Sequence, residues 1–253
     1  MSASNQPLVY LILGAAGSGR REVLTDLIEA GLTEGDRAVV LLPDAEPAHE
    51  LDAKLPLGPR WTWSGGDAPL AAEVPEKSTH VFFVADGRRN PIDQIEAFKN
   101  WLAAHGRVLA RAICVVNCQL GEKHPPLLAW YEGCIHFADV ALLNRREGVE
   151  NKWLSDFLTH FKKQYYPALF EPVRAGRVHN PVAILEPEAR RMSHLFDEEQ
   201  DWIFTNADGE VIEEDEETDD NEEIEAAPAE DPYLVRRLGG RRQKEIPDIA
   251  KFL

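Results

Sequence analysis

The run LVYLILGAAGSGRREVLTDLIE, from Leu8 to Glu29, constrains this chain more than any other stretch. Six largely apolar residues, Leu8–Leu13, lead into Gly14, Gly17 and Gly19, and then into a segment whose Val23, Leu24, Leu27 and Ile28 share one helical face. A buried strand, a glycine turn and a helix in that order begin an α/β unit. The G-x-x-G-x-G spacing is that of a phosphate-cradling loop. Its glycines let several backbone N–H groups turn inward, and the helix N-terminus adds positive potential. The Lys and the Ser or Thr that such a loop needs next are replaced by Arg20 and Arg21. A tight βα turn without a ligand remains the plain alternative.

The pattern continues to about residue 170. Strands are expected at 37–42, 80–84, 112–116 and 140–143, with helices at 20–30, 92–104, 126–134 and 149–161 between them. That alternation predicts a doubly wound, mostly parallel sheet. The Pro- and Gly-rich segment 45–76 resists assignment. Residues 171–207 read as an irregular extension draped over the domain, 208–231 as an acidic tract and 232–253 as a basic segment.

The net charge of −17 belongs to the tail. Between Met192 and Asp231 lie 18 acidic residues and no Lys or Arg; outside that stretch 26 acidic residues face 27 basic ones. So poor in apolar side chains, 208–231 is expected to be disordered, and a chain cut after Phe196 to melt almost where the full chain does. The bases Arg236, Arg237, Arg241, Arg242 and Lys244 suggest an interaction motif or a strap on the chain's own acidic tract. An acidic tail repels phosphate backbones, which argues against nucleic acid.

Cys114, Cys118 and Cys134 contain no C-x-x-C pair, which fits reduced thiols in a cytoplasmic protein. The first apolar run is too short for a signal peptide or a membrane span. Cys118, His124, Cys134 and His136 are the one conceivable metal cluster, but they are scattered over a strand end, a loop and a helix, so packed or incidental residues are the reading. No metal site is expected, and no nucleophile–base pair is visible. His80, His105 and His160 read as packed or exposed, and Trp61 and Trp63 as core or lip residues.

A second constellation lies at HFADVALLNRREG. An apolar strand empties into Asn144-Arg145-Arg146-Glu147, where guanine-specific P-loop proteins place Asn-Lys-x-Asp, the carboxylate accepting from the base. Arg145 and Glu147 keep the charges of the residues they replace. With LVYLILGAAGSG and AICVVNC followed by a helix, this element resembles the CobW/HypB/UreG family of P-loop GTPases, nearest its CobW-type branch, over residues 7–170. The resemblance implies a nucleotide-binding domain for GTP or GDP, contacted by Gly14, Gly17, Ser18, Gly19, Arg20, Arg21, Asn144, Arg145 and Glu147. It also implies a link to handling metal ions or metallocofactors.

The departures from that pattern are chemical. Arg20 can grip phosphate as a lysine would. Arg21 cannot coordinate the Mg²⁺ that a hydroxyl there would ligate. Where the family shows Glu-x-x-Gly after its third strand, this chain has Val84-Ala85-Asp86-Gly87, so that Asp86 is either a displaced carboxylate or a turn residue. The family's Cys-x-Cys-Cys has no counterpart before HVFFV. Two functions are therefore expected. One is a GTP-binding protein with a degenerate loop and weak or absent hydrolysis. The other is a nucleotide-free pseudo-GTPase that meets protein partners through its acidic tract or basic C-terminus.

Overall fold

The computed structural model describes residues 6–197 and 231–253. In chain order they form β1 (Leu8–Leu13), α1 (Arg20–Gly31), β2 (Ala38–Leu41), β3 (His80–Val84), α2 (Pro91–Ala104), β4 (Leu109–Asn117), α3 (Cys118–Lys123), α4 (Leu127–His136), β5 (Val140–Asn144), α5 (Asn151–Lys163), β6 (Leu169–Pro172) and α6 (Pro181–Leu185). The six strands make one sheet in the order β2-β3-β1-β4-β5-β6, and every neighbouring pair is parallel. The apolar strands require this placement, because a parallel strand is covered on both faces.

Alternate residues of β1 divide the two cores. Val9, Leu11 and Leu13 face a layer built from α2, α4 and α5, where Phe98, Trp101, Trp130 and Phe161 are buried. Tyr10 and Ile12 face α1 and α6 through Val23, Leu24, Leu27 and Leu185. Helices on both faces make the fold doubly wound. Since α1 and α2 leave β1 and β3 towards opposite faces, a crevice opens at the carboxyl ends of those two strands, the place where open α/β sheets hold ligands. Both glycine turns, Gly14–Gly19 and Asp86–Gly87, lie there.

Two features lie outside the periodic pattern. β6 is an edge strand ending at Pro172, a position that tolerates a missing donor. The segment from Asp231 to Leu253 is laid across α2 and α4. It buries Tyr233 and Ile249, and it pairs Arg242 with Asp93 at 2.5 Å and Lys244 with Glu132 at 2.6 Å. Among the described residues, this strap's Arg236, Arg242 and Lys244 meet carboxylates of α2 and α4. This docking also reverses the expectation for a chain cut after Phe196. The tract expected to be disordered lies, up to residue 230, outside the described residues. No described helix is long and apolar enough to cross a membrane.

Candidate functional site

Gly14, Gly17 and Gly19 all take positive φ, at 137°, 78° and 87°, which an L side chain rarely adopts. A Cβ on Gly14 would also lie 2.5 Å from the Val115 carbonyl. Two asparagines at strand ends hold the loop from below. Asn144 Nδ2 donates to the Ser18 carbonyl at 2.9 Å, and Asn117 Nδ2 to the Gly17 carbonyl at 3.4 Å. The Ser18 hydroxyl is fully buried and has no partner among the described residues.

Two of the loop's N–H donors and the charges beside it are engaged within the chain. The Ala16 N–H donates to the Gly87 carbonyl at 3.0 Å, and the Ser18 N–H to the Ala15 carbonyl at 3.1 Å. Gly87 sits so close that a Cβ there would collide with the Ala16 nitrogen and lie 2.6 Å from the Gly14 carbonyl oxygen. Arg20 is 4% exposed and points beneath the loop. One of its nitrogens donates to the Ala85 carbonyl, and the other lies 3.3 Å from both carboxylate oxygens of Glu46. Burial pulls the Arg20 guanidinium below its ordinary range, while Glu46 and Asp86 pull the other way.

Arg21 is divided among three acceptors. It meets Asp52 at 2.6 Å, Glu46 at 2.8 Å and the Pro47 carbonyl at 2.8 Å. Arg88 reaches Glu46 at 3.6 Å. Arg145 pairs with Glu22 at 2.7 Å, and the same guanidinium would lie 3.4 Å from a Cβ on Gly19. A cavity of about 160 Å³ remains among Gly17, Gly19, Arg20, Arg21, Glu46 and Arg88. Mg²⁺ does not fit this site: Arg21 offers only donors where a ligand oxygen is needed, and Glu46 is held by arginines.

Of the sequence-derived residues, Gly14, Gly17, Ser18, Gly19, Arg20, Arg21, Asn144 and Arg145 converge at one crevice. Glu147 is exposed, and among the described residues only its carbonyl is engaged, by Gln119 Nε2 at 2.6 Å. Asp86 is a turn residue, accepting from the Arg88 N–H at 3.0 Å. Trp61 is a core residue stacked on Phe83 at 4.9 Å. Among the described residues no three His, Cys, Asp or Glu side chains converge as metal ligands. Burial pushes the Cys118 thiol up to about 12, His124 lies against Phe252, and His136 meets Asp231 at 2.9 Å. Glu46, Asp52 and Arg88 are not marked by the sequence. Glu46 and Arg88 fall on the turns after β2 and β3 and Asp52 on a short 3₁₀ helix, Glu50–Lys54, where no periodicity marks a role, and only the unusual Arg20-Arg21 pair signals that carboxylates must be near.

No family model matches the chain, and no curated protein matches it. Among solved structures it is similar to the Zn(II)-bound YjiA GTPase from E. coli, at 12% identity and a TM-score of 0.43 over 73% of this chain and 66% of that one. A Zn(II)-bound triple mutant of YjiA GTPase gives 13% identity and a TM-score of 0.41 over 73% of this chain and 67% of that one. The chain thus spans about two thirds of the length of these proteins.

Proposed function

We propose that this chain is a CobW-like guanine-nucleotide-binding protein that binds weakly, without Mg²⁺, and does not hydrolyse what it binds. A strand, a loop of three positive-φ glycines and a helix at the sheet's crevice support the binding half of this reading. The observation that carries the rest is the internal pairing of Arg20 and Arg21 with Glu46. A phosphate has to replace those contacts rather than add to them, and charge-assisted bonds of about 1.5–3 kcal/mol then turn into little net affinity. Metal handling is no part of the reading, since the segment before β3 has no cysteine.

A second reading is favoured by the Arg145–Glu22 pair and by the Gly87 carbonyl on the Ala16 N–H, both of which hold the loop shut. It is a pseudo-GTPase that binds no nucleotide and works as an interaction scaffold. Titration with a fluorescent GDP analogue, with and without Mg²⁺, separates the two. Weak, Mg²⁺-indifferent binding without phosphate release from GTP supports the first. No binding of GTP or GDP at millimolar concentration decides for the scaffold. In the first case Arg20→Lys/Arg21→Thr should add an Mg²⁺-dependent component, because a hydroxyl ligand and a compact ammonium return together.

A further inference from the structure

Glu46 is a buried carboxylate on an otherwise exposed turn. Asp44, Ala45, Pro47, Ala48 and His49 are all exposed, while Glu46 is 7% exposed. Three guanidinium groups surround it: Arg20 at 3.3 Å, Arg21 at 2.8 Å and Arg88 at 3.6 Å. One bidentate arginine satisfies a carboxylate. Three exceed what a single negative charge with two oxygens needs.

Two other carboxylates share the cluster: Asp52 meets Arg21 at 2.6 Å and also accepts from the His49 N–H, and Asp86 acts on Arg20 while facing Arg89 at 3.8 Å. Arg60 lies beside Asp52, so the guanidinium groups of Arg20, Arg21, Arg60, Arg88 and Arg89 still outnumber the carboxylates of Glu46, Asp52 and Asp86. A phosphate group carries about −1.5 to −2 charges and three acceptor oxygens, which matches three guanidinium groups better than a carboxylate does. The adjoining cavity, at about 160 Å³, is small beside the ~300–1,000 Å³ of pockets that enclose drug-sized ligands. It suits phosphate groups, not a nucleoside. Arg88, 43% exposed, leaves the cluster open to solvent on one side.

We propose that Arg20, Arg21 and Arg88 form an oxyanion site in which Glu46 sits as a built-in competitor, and that a diphosphate group binds by exchanging with it. The diphosphate is either free pyrophosphate or the end of a nucleotide. For the nucleotide source the proposal rests on the reading above; for the free anion it does not. The exchange needs movement of the Asp44–His49 turn, which is tethered by Arg60 to the carbonyls of Pro43 and Glu46.

The test is calorimetric titration of the full chain at low ionic strength with pyrophosphate, GDP and ADP. Glu46→Gln keeps the shape of the side chain and removes its charge. It should tighten pyrophosphate binding roughly tenfold or more, and Glu46→Gln/Arg88→Ala should lose most of that gain. A parallel gain for GDP but not ADP supports both this site and the guanine reading. A gain for pyrophosphate alone supports the site while the nucleotide reading fails. A folded Glu46→Gln with no gain for pyrophosphate overturns the proposal. Should Glu46→Gln not fold, Glu46→Asp, one methylene shorter, carries the test: a smaller gain is expected, and none overturns the proposal.

Discussion

Arg20 stands where a strand–loop–helix phosphate site would put its charge, yet its guanidinium is satisfied beneath the loop by Glu46 and the Ala85 carbonyl. Removing one member of a buried ion pair costs about 3–5 kcal/mol when the other is left alone. Glu46 keeps Arg21 and Arg88, so Arg20→Met is expected at or below the bottom of that range. Urea melts of Arg20→Met, Glu46→Leu and the double variant should show a coupling of about 0.5–3 kcal/mol, and strict additivity would mean that the pair does not interact. Gly87→Ala tests the other contact. Its Cβ would meet the backbone of Ala16 and Gly14, atoms that cannot swing aside, so a loss of about 1–3 kcal/mol is expected from overpacking. A variant as stable as the parent would show that the two turns are not in contact. The three loop glycines were legible because positive φ restricts residue choice locally. Glu46 was not, because an ion pair 26 residues apart leaves no local trace.

At the scale of elements, the strands read from the sequence at 80–84 and 140–143 are observed at His80–Val84 and Val140–Asn144, and the helix read at 149–161 at Asn151–Lys163. Buried strands and amphipathic helices announce themselves because both faces, or one stripe, must be apolar. β6 and α6 did not, since each is short and owes its order to the surface it lies on; the C-terminal strap was marked by its bases, but not the surface that receives it. The strap is fastened to α4 by two carboxylates. Burial raises Asp231, but hydrogen bonds from His136 and Ser193 and the charge of His136 outweigh it and hold the group below its ordinary range. Burial likewise raises Glu132, and Lys244 and His160 overcome it. Depressed carboxylates stabilise the fold above their unfolded values, about 3.9 for Asp and 4.3 for Glu, and lose that effect as pH falls through their lower folded values. The melting-temperature gap between the full chain and one ending at residue 230 should therefore shrink in acid, below about pH 4. A gap that persists unchanged to pH 3 would show that these carboxylates contribute nothing to docking.

On the scale of the whole molecule, the described chain is one parallel sheet whose α2–α4–α5 layer is completed by residues far along the sequence. Tyr233 and Ile249 belong to the same core as Val9, Phe98 and Trp130. Lys244 lies over the Tyr233 ring at 4.5 Å, and Arg242 joins the strap to both Asp93 and Glu96 of α2. The burial of Tyr233 and Ile249 and the ion pairs to α2 and α4 fasten the segment to the domain. Each kcal/mol of net docking free energy corresponds to about 2–4 °C for a domain of this size, so a chain cut after Phe196 is expected to melt several degrees lower. It should also bind an apolar dye, because the faces of α2 and α4 that meet Tyr233 and Ile249 become exposed. Adding the 231–253 peptide in trans should restore part of the loss, since the ion pairs to Asp93, Glu96 and Glu132 need no covalent link. An unchanged melting temperature with no dye binding would mean that the strap is not docked in solution and that the core closes without it.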